Sequence, residues 1–348
     1  MKPSFLLPGT RIQGRYEIEG IISSGSFGIV YLALDHETQE EVALKTLNAQ
    51  ASAIPEHVGR FTREGRLGRK LSHPNIVEHL DFGHIDDAEG GGLFLILELI
   101  RGLPLGDIID TRGPLNLDEA VHVLTQVLEA LHCVHCSEAI HRDLKPDNIL
   151  LAAPESARVE LDPVGSIAAR VGVPDADTPS WQDLTRSKAT LLDFGLGKFI
   201  PSSDHDFTKI TTTGMAAGTL YYMSPEQIEA EKDLDYRSDI YASAMLLFRM
   251  LNGDPPYCGQ MMVQLATSHL KAPPPKLPQG LDLHPINAVY ERAASKRPEN
   301  RFESAAAMAW ALRASLDPEL AKGPAPHFEP PHQPTSGQRG FWKRLFGK

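Results

Sequence analysis

Short β-favouring runs fill the chain as far as about residue 102, and long stretches of helical period follow it; this one-way switch is the strongest constraint on the fold. YEIEGII from Tyr16, IVYLALD from Ile29 and EEVALKTL from Glu40 are strand-like runs, separated by a Gly/Ser turn and by Asp-His-Glu-Thr. A polar helix, HVGRFTREGRLGRKL from His57, stops at Ser72-His73-Pro74-Asn75. Two further runs, IVEHLDF and LFLILELI, complete an expected five-stranded unit with one helix. The next segment, LDEAVHVLTQVLEALHCVH, sets Val121, Leu124, Val127, Leu128, Leu131 and Val134 on one helical face. SPEQIEAEK, SDIYASAMLLFRMLNG, MVQLATSHL, INAVYERAAS and FESAAAMAWALRASL continue the helical character. The expectation is an α+β chain with a small β-rich lobe, a larger helical lobe and a cleft between them.

Composition narrows the partners. Of 348 residues, 42% are apolar and 23% charged, enough for a sizeable core. The formal charge of −11 argues against a nucleic-acid partner, which calls for a basic stripe. Three cysteines make no disulfide framework and favour a reducing compartment. MKPSFLLPGT carries too short an apolar run for a signal peptide, and no stretch of about 18 uncharged apolar residues exists. The expected location is cytoplasmic, with no transmembrane segment.

The stretch ISSGSFGIVYLAL, from Ile22, suggests a phosphate-wrapping turn that lacks one glycine. Gly25 and Gly28 hold two positions of G-x-G-x-x-G, and Ser23 stands at the outermost. Alone this is weak. It gains weight from an ordered set downstream: Val42-Ala43-Leu44-Lys45, Glu64, His141-Arg142-Asp143, Lys145, Asn148, Asp193-Phe194-Gly195 and Ser224-Pro225-Glu226. Singly, Lys45 reads as a surface lysine, Glu64 as a solvated helix charge and Asp-Phe-Gly as a turn. Their joint order does not.

Residues 14–315 resemble serine/threonine protein kinases, in particular bacterial ones of the eukaryotic (Hanks) type. The resemblance implies a bilobal protein-kinase fold and ATP- and Mg²⁺-dependent phosphotransfer to protein serine or threonine, with Mn²⁺ as an alternative metal. It implies ATP contacts at Ile22, Ser23, Gly25, Ser26, Gly28, Val30, Ala43 and Lys45, a gatekeeper at Leu97 and a hinge at Glu98 and Ile100. Lys45 would face the α- and β-phosphates with Glu64 holding it, and Asn148 and Asp193 would bind the metal. Asp143 would take or orient the hydroxyl proton, and Lys145 would steady the γ-phosphate, favouring a Ser/Thr acceptor. Glu226 and Arg301 resemble a buried structural ion pair, and Asp239 the aspartate that holds the catalytic-loop backbone. Arg142 before Asp143 goes with control by phosphorylation, here at Thr211 and Thr213, whose phosphates Arg142 and Lys198 would pair with. Autophosphorylation in trans would call for a dimer. The alternative function is a pseudokinase scaffold, against which the retained Lys45, Glu64, Asp143, Asn148 and Asp193 speak.

On this reading the chain comprises an N-terminal segment 1–13, a small lobe 14–102, a large lobe 103–315, a Pro-rich linker 316–338 and a basic-aromatic tail 339–348. An insertion at about residues 152–188 separates two short strands, Ile149-Leu150-Leu151 and Ala189-Thr190-Leu191-Leu192. Cys133-Val-His-Cys136 invites a metal reading, but no second C-x-x-C completes a site. The tail, with Phe341, Trp342, Leu345 and Phe346 among Lys343, Arg344 and Lys348, suits contact with a membrane surface, which would make the protein peripheral there, or with a partner protein.

Overall fold

The computed structural model describes residues 6–25, 27–86, 91–152, 183–193, 217–231, 233–257, 261–323 and 326. The chain divides into two compact units, each made of two stretches: 1–113 with 146–197, and 114–145 with 198–348.

The first unit is built on a six-stranded antiparallel sheet of order β1-β2-β3-β4-β6-β5. Its strands are β1 (Arg11–Ile12), β2 (Tyr16–Ser24), β3 (Gly28–Asp35), β4 (Glu40–Leu47), β5 (His79–Ile85) and β6 (Gly92–Glu98). Side chains alternate across the sheet. Val42 and Leu44 enter one core with Ile12, Tyr16, Tyr31 and Phe94, while Ala43 enters a second with Phe61, Leu95 and Leu97. Lys45, two residues after Ala43, therefore emerges on the second face. Helices α1 (Ala49–Ser52) and α2 (Pro55–Gly68) follow β4. Two-residue β1 and the short α1 carry too little periodicity to be anticipated. The strand expected from Ile76 begins only at His79, because Ile76 and Val77 reach another partner: Val77 N–H donates to Leu191 O at 3.1 Å, and Leu191 N–H to Asn75 O at 2.8 Å.

Two glycines let α2 lie close to β5. A Cβ on Gly65 would come within 2.5 Å of the Phe82 ring, and one on Gly68 within 2.0 Å of the His79 ring. Gly59, on the same helix, has nothing within 4 Å of its would-be Cβ. Alanine is a better helix former than glycine by about 1 kcal/mol, so Gly59→Ala is expected to stabilise by up to about that amount. Gly68→Ala is expected to destabilise by about 1–3 kcal/mol, since the buried His79 ring must move. Urea unfolding of the two variants checks the opposite signs.

A second antiparallel sheet, of order β7-β8-β9, joins β7 (Gly102–Pro104), β8 (Ile149–Ala152) and β9 (Ala189–Leu191), with α3 (Leu105–Arg112) following β7. Most of the expected insertion, residues 153–182, lies outside the described residues. Beyond it Leu184 is fully buried, and Ala152 N–H donates to Lys188 O at 2.8 Å beside the strand pair.

The second unit is helical: α4 (Leu117–Cys136), α5 (Ala217–Leu220), α6 (Pro225–Ile228), α7 (Arg237–Asn252), α8 (Met262–Lys271), α9 (Pro285–Ala293), α10 (Ala305–Leu316) and α11 (Pro318–Lys322). A capping box between Asn116 and Glu119 starts α4, whose apolar stripe from Val121 to Val134 is buried. Helix α7 is buried around nearly its whole circumference, from Ser238 to Leu251, and forms the centre of the unit. Helix α11 falls within the stretch expected to be an extended linker; the Asp317 side chain caps Glu319 N–H and Leu320 N–H, and Pro318 opens the helix. Among the described residues no helix is long and apolar enough to cross a membrane.

Candidate functional site

In the sheet-bearing unit, β4 projects Lys45 toward α2. Its Nζ donates to Glu64 Oε1 at 2.8 Å and to Asp193 Oδ1 at 2.5 Å. Burial works against the charge on Lys45, but Asp193 and Glu64 outweigh it and hold the ammonium group above the ordinary lysine range. Burial pushes the Glu64 carboxyl up from its ordinary value, while Lys45 opposes that shift. Asp193, just past β9, has a backbone φ of +39°, a strained setting for a non-glycine residue. Asn148 closes the 3-10 turn Pro146–Asn148, and its carbonyl accepts from Leu192 N–H at 2.8 Å, which brings position 148 alongside the residue preceding Asp193.

The residues expected to hold the adenine share the second core. Ala43 and Leu97 are buried in it, and Ile22, Val30 and Ile100 pack against it partly exposed. Glu98 turns its carboxylate to the backbone, accepting from Glu78 N–H at 3.0 Å. The turn between β2 and β3 is closed by Gly25 N–H donating to Gly28 O at 2.9 Å. A Cβ at Gly28 would sit 2.3 Å from Thr46 O, so the hairpin requires glycine there on packing grounds alone. Ser23 is paired in the ladder with Val30 and is exposed.

The helical unit holds the loop after α4. Asp239, on α7 and fully buried, accepts at Oδ2 from His141 N–H and from His135 Nε2, both at 2.8 Å, and at Oδ1 from Arg142 N–H at 2.8 Å. Burial alone would raise its carboxyl; the His135 hydrogen bond and neighbouring donors outweigh this and hold it below the usual carboxylate range. The same grip stabilises a φ of +65° at Arg142. Asp143 N–H then donates to His141 Nδ1 at 3.3 Å, and Lys145 Nζ stands 4.0 Å from Asp143 Oδ2. Gln227 adds a brace, donating from Nε2 to Arg142 O at 2.9 Å while Oε1 accepts from Ser224 N–H at 3.0 Å.

Beside it, Arg301 grips Glu226 through two nearly parallel hydrogen bonds of 2.7 and 2.9 Å. Arg301 also donates to the carbonyls of Ser295, Arg237 and Lys296, and Ser238 Oγ donates to Glu226 Oε1. Burial would raise the Glu226 carboxyl, but Arg301 holds it below its ordinary value.

Structure thus gathers Lys45, Glu64 and Asp193 in one unit and Arg142, Asp143, Lys145 and Asp239 in the other. Ser26, Phe194, Gly195, Lys198, Thr211, Thr213 and the tail 339–348 lie outside the described residues. Cys133 and Cys136 are free thiols, and burial raises the pKa of both. His135, Gln227 and Asn75 support the site through partners far along the chain. Asn75 Nδ2 donates to Ala189 O at 2.7 Å, a tie across 114 positions that no local pattern encodes.

Residues 16–291 match the protein kinase domain family. The serine/threonine-protein kinase PknB of Mycobacterium leprae is 31% identical over 300 residues, covering 85% of this chain and 42% of PknB. Pkn3 of Myxococcus xanthus is 34% identical over 310 residues, covering 88% of this chain and 51% of Pkn3. The chain therefore spans about half or less of the length of these relatives. The crystal structure of the Mycobacterium tuberculosis PknI kinase domain superposes with a TM-score of 0.63 at 25% identity, covering 90% of this chain and 99% of that one. The chain belongs to the protein kinase family, and within it to the bacterial Hanks-type serine/threonine kinases. Its curled sheet and its helices are the small and large lobes of that fold, and the family uses ATP with a divalent metal.

Proposed function

We propose that this chain transfers the γ-phosphoryl group of ATP to serine and threonine hydroxyls of protein substrates, and that its own segment between Asp193 and Glu226 is among them. Lys45 bonded to both Glu64 and Asp193 is the observation that carries the reading. A lysine that is kept charged, oriented by one carboxylate and close to a second, is built to meet phosphate oxygens rather than to solubilise a surface. The apolar cluster of Ile22, Val30, Ala43 and Leu97 suits a flat base, and the backbone at Glu98 and Ile100 supplies the polar edge. Asn148 and Asp193 offer hard oxygen donors, a set that suits Mg²⁺, which is typically held by one or two carboxylates together with substrate phosphates. Bound there, the metal would neutralise phosphate charge. Asp143, fixed through the grip of Asp239 on the loop backbone, orients the acceptor hydroxyl and takes its proton. Lys145 offers a positive charge for the transferring group.

The lobes are read as residues 14–102 and 103–315, and regulation as phosphorylation of Thr211 and Thr213 answered by Arg142. Incubation of the full chain with Mg-ATP, followed by phosphopeptide mapping, is expected to find phosphate between residues 193 and 226. A map with none there, together with no transfer to a degenerate Ser/Thr peptide mixture, would sink the reading.

A further inference from the structure

The turn between β2 and β3 does not stand alone: the segment after β4 fastens it. Asn48 N–H donates to Phe27 O at 3.1 Å. The Asn48 side chain accepts at Oδ1 from Ala51 N–H at 2.8 Å, which caps α1, and its Nδ2 points to Gly25 O at 3.4 Å. In the first turn of α2, the His57 ring meets the Phe27 ring edge-on, with centroids 5.1 Å apart and planes at 88°. Phe27 is 37% exposed, so the His57 ring covers a side chain that the sheet core does not bury. Burial, with Arg60 nearby, lowers the His57 pKa, so the ring meets Phe27 as a neutral aromatic. His57 lies on the same helix as Glu64, two turns earlier.

We infer that Asn48, His57 and Phe27 form a clasp that holds the glycine turn ready for a triphosphate and ties its position to helix α2. They are positioning residues, and the inference rests on the ATP-dependent reading above. Backbone N–H groups of such a turn are natural phosphate donors. Held in place beforehand, they bind without first being ordered; released, the turn must be ordered at each binding event and affinity falls. Only ligands that carry phosphates feel this. Adenosine, which would rest on Ile22, Val30, Ala43 and Leu97, does not.

The test is calorimetric titration of the full chain with Mg-ATP and with adenosine, at pH 8. Phe27→Ala, His57→Ala and Asn48→Ser are each expected to weaken Mg-ATP by about threefold to tenfold, the scale of one aromatic pair for the first two and of one hydrogen bond for the third. Adenosine affinity should stay within about twofold. Serine keeps the cap on α1 but is too short to reach Gly25, which separates helix stability from the clasp. The double variant Phe27→Ala/His57→Ala should be no weaker than either single one, as for two halves of one contact. His57→Phe should restore Mg-ATP binding. Equal losses for both ligands, or unchanged Mg-ATP binding in all variants, overturn the clasp. A wild-type chain that binds adenosine and not Mg-ATP, or neither, overturns the ATP reading itself and the clasp with it.

Discussion

Asp143→Ala is expected to slow phosphotransfer by about 10²–10⁴-fold, the range typical of losing a positioned general base. The affinity for Mg-ATP should change little, because Asp143 lies in a different compact unit from Lys45, Glu64 and Asp193. Fold stability should also survive, since the loop is anchored elsewhere, at Asp239. Single-turnover assays with a phosphoacceptor peptide, beside nucleotide titrations, separate the two effects. Undiminished transfer would remove Asp143 from the role assigned to it. Parallel loss of ATP binding would point instead to disruption of the whole loop.

Arg301→Ala is expected to cost about 3–5 kcal/mol of stability, the usual scale for breaking a buried ion pair from one side. The Arg301 side chain has no exposure and that of Glu226 only 5%, so water cannot take over the stranded carboxylate. Three carbonyls, of Ser295, Arg237 and Lys296, lose their donor at the same time. Glu226→Gln should cost less, because an amide keeps part of the hydrogen bonding and strands no anion. Urea unfolding followed by tryptophan fluorescence gives both values. Equal, small losses would mean that this pair contributes little net stability.

Much of this architecture is legible in the chain because strand and helix periods are strong where the elements are long. The paired runs from Tyr16 to Leu47 and the amphipathic stripe of α4 announce themselves. Elements of two to four residues, such as β1 and α1, do not, since so few positions express no period. Ile76 and Val77 misled for a different reason: they are apolar and β-branched, yet their partner is Leu191 in a strand far along the chain. The site followed the same rule. Lys45, Asp143 and Asp193 stand in recognisable motifs, whereas His135 reads locally as the middle of a Cys-x-His-Cys helix end. Its partner Asp239 lies 104 positions away, and Gln227 braces Arg142 across 85. Nothing in the local pattern shows that α2 needs glycine at 65 and 68, because the requirement comes from Phe82 and His79 on another element.

The interleaving of the two units bears on how the molecule can be dissected. The sheet-bearing unit takes its last portion from residues 146–197, after the chain has left it at 113 and returned. A fragment ending at Gly113 would keep Lys45 and Glu64 but lose Asp193, and it would lose Leu191, which bonds Asn75 and Val77. Strand β7 would be deprived of β8, its ladder partner. A dissection that keeps the sheet-bearing unit whole must therefore carry residues 146–197 together with 1–113, and truncation at the apparent border between strands and helices is expected to yield a fragment without its native ladder.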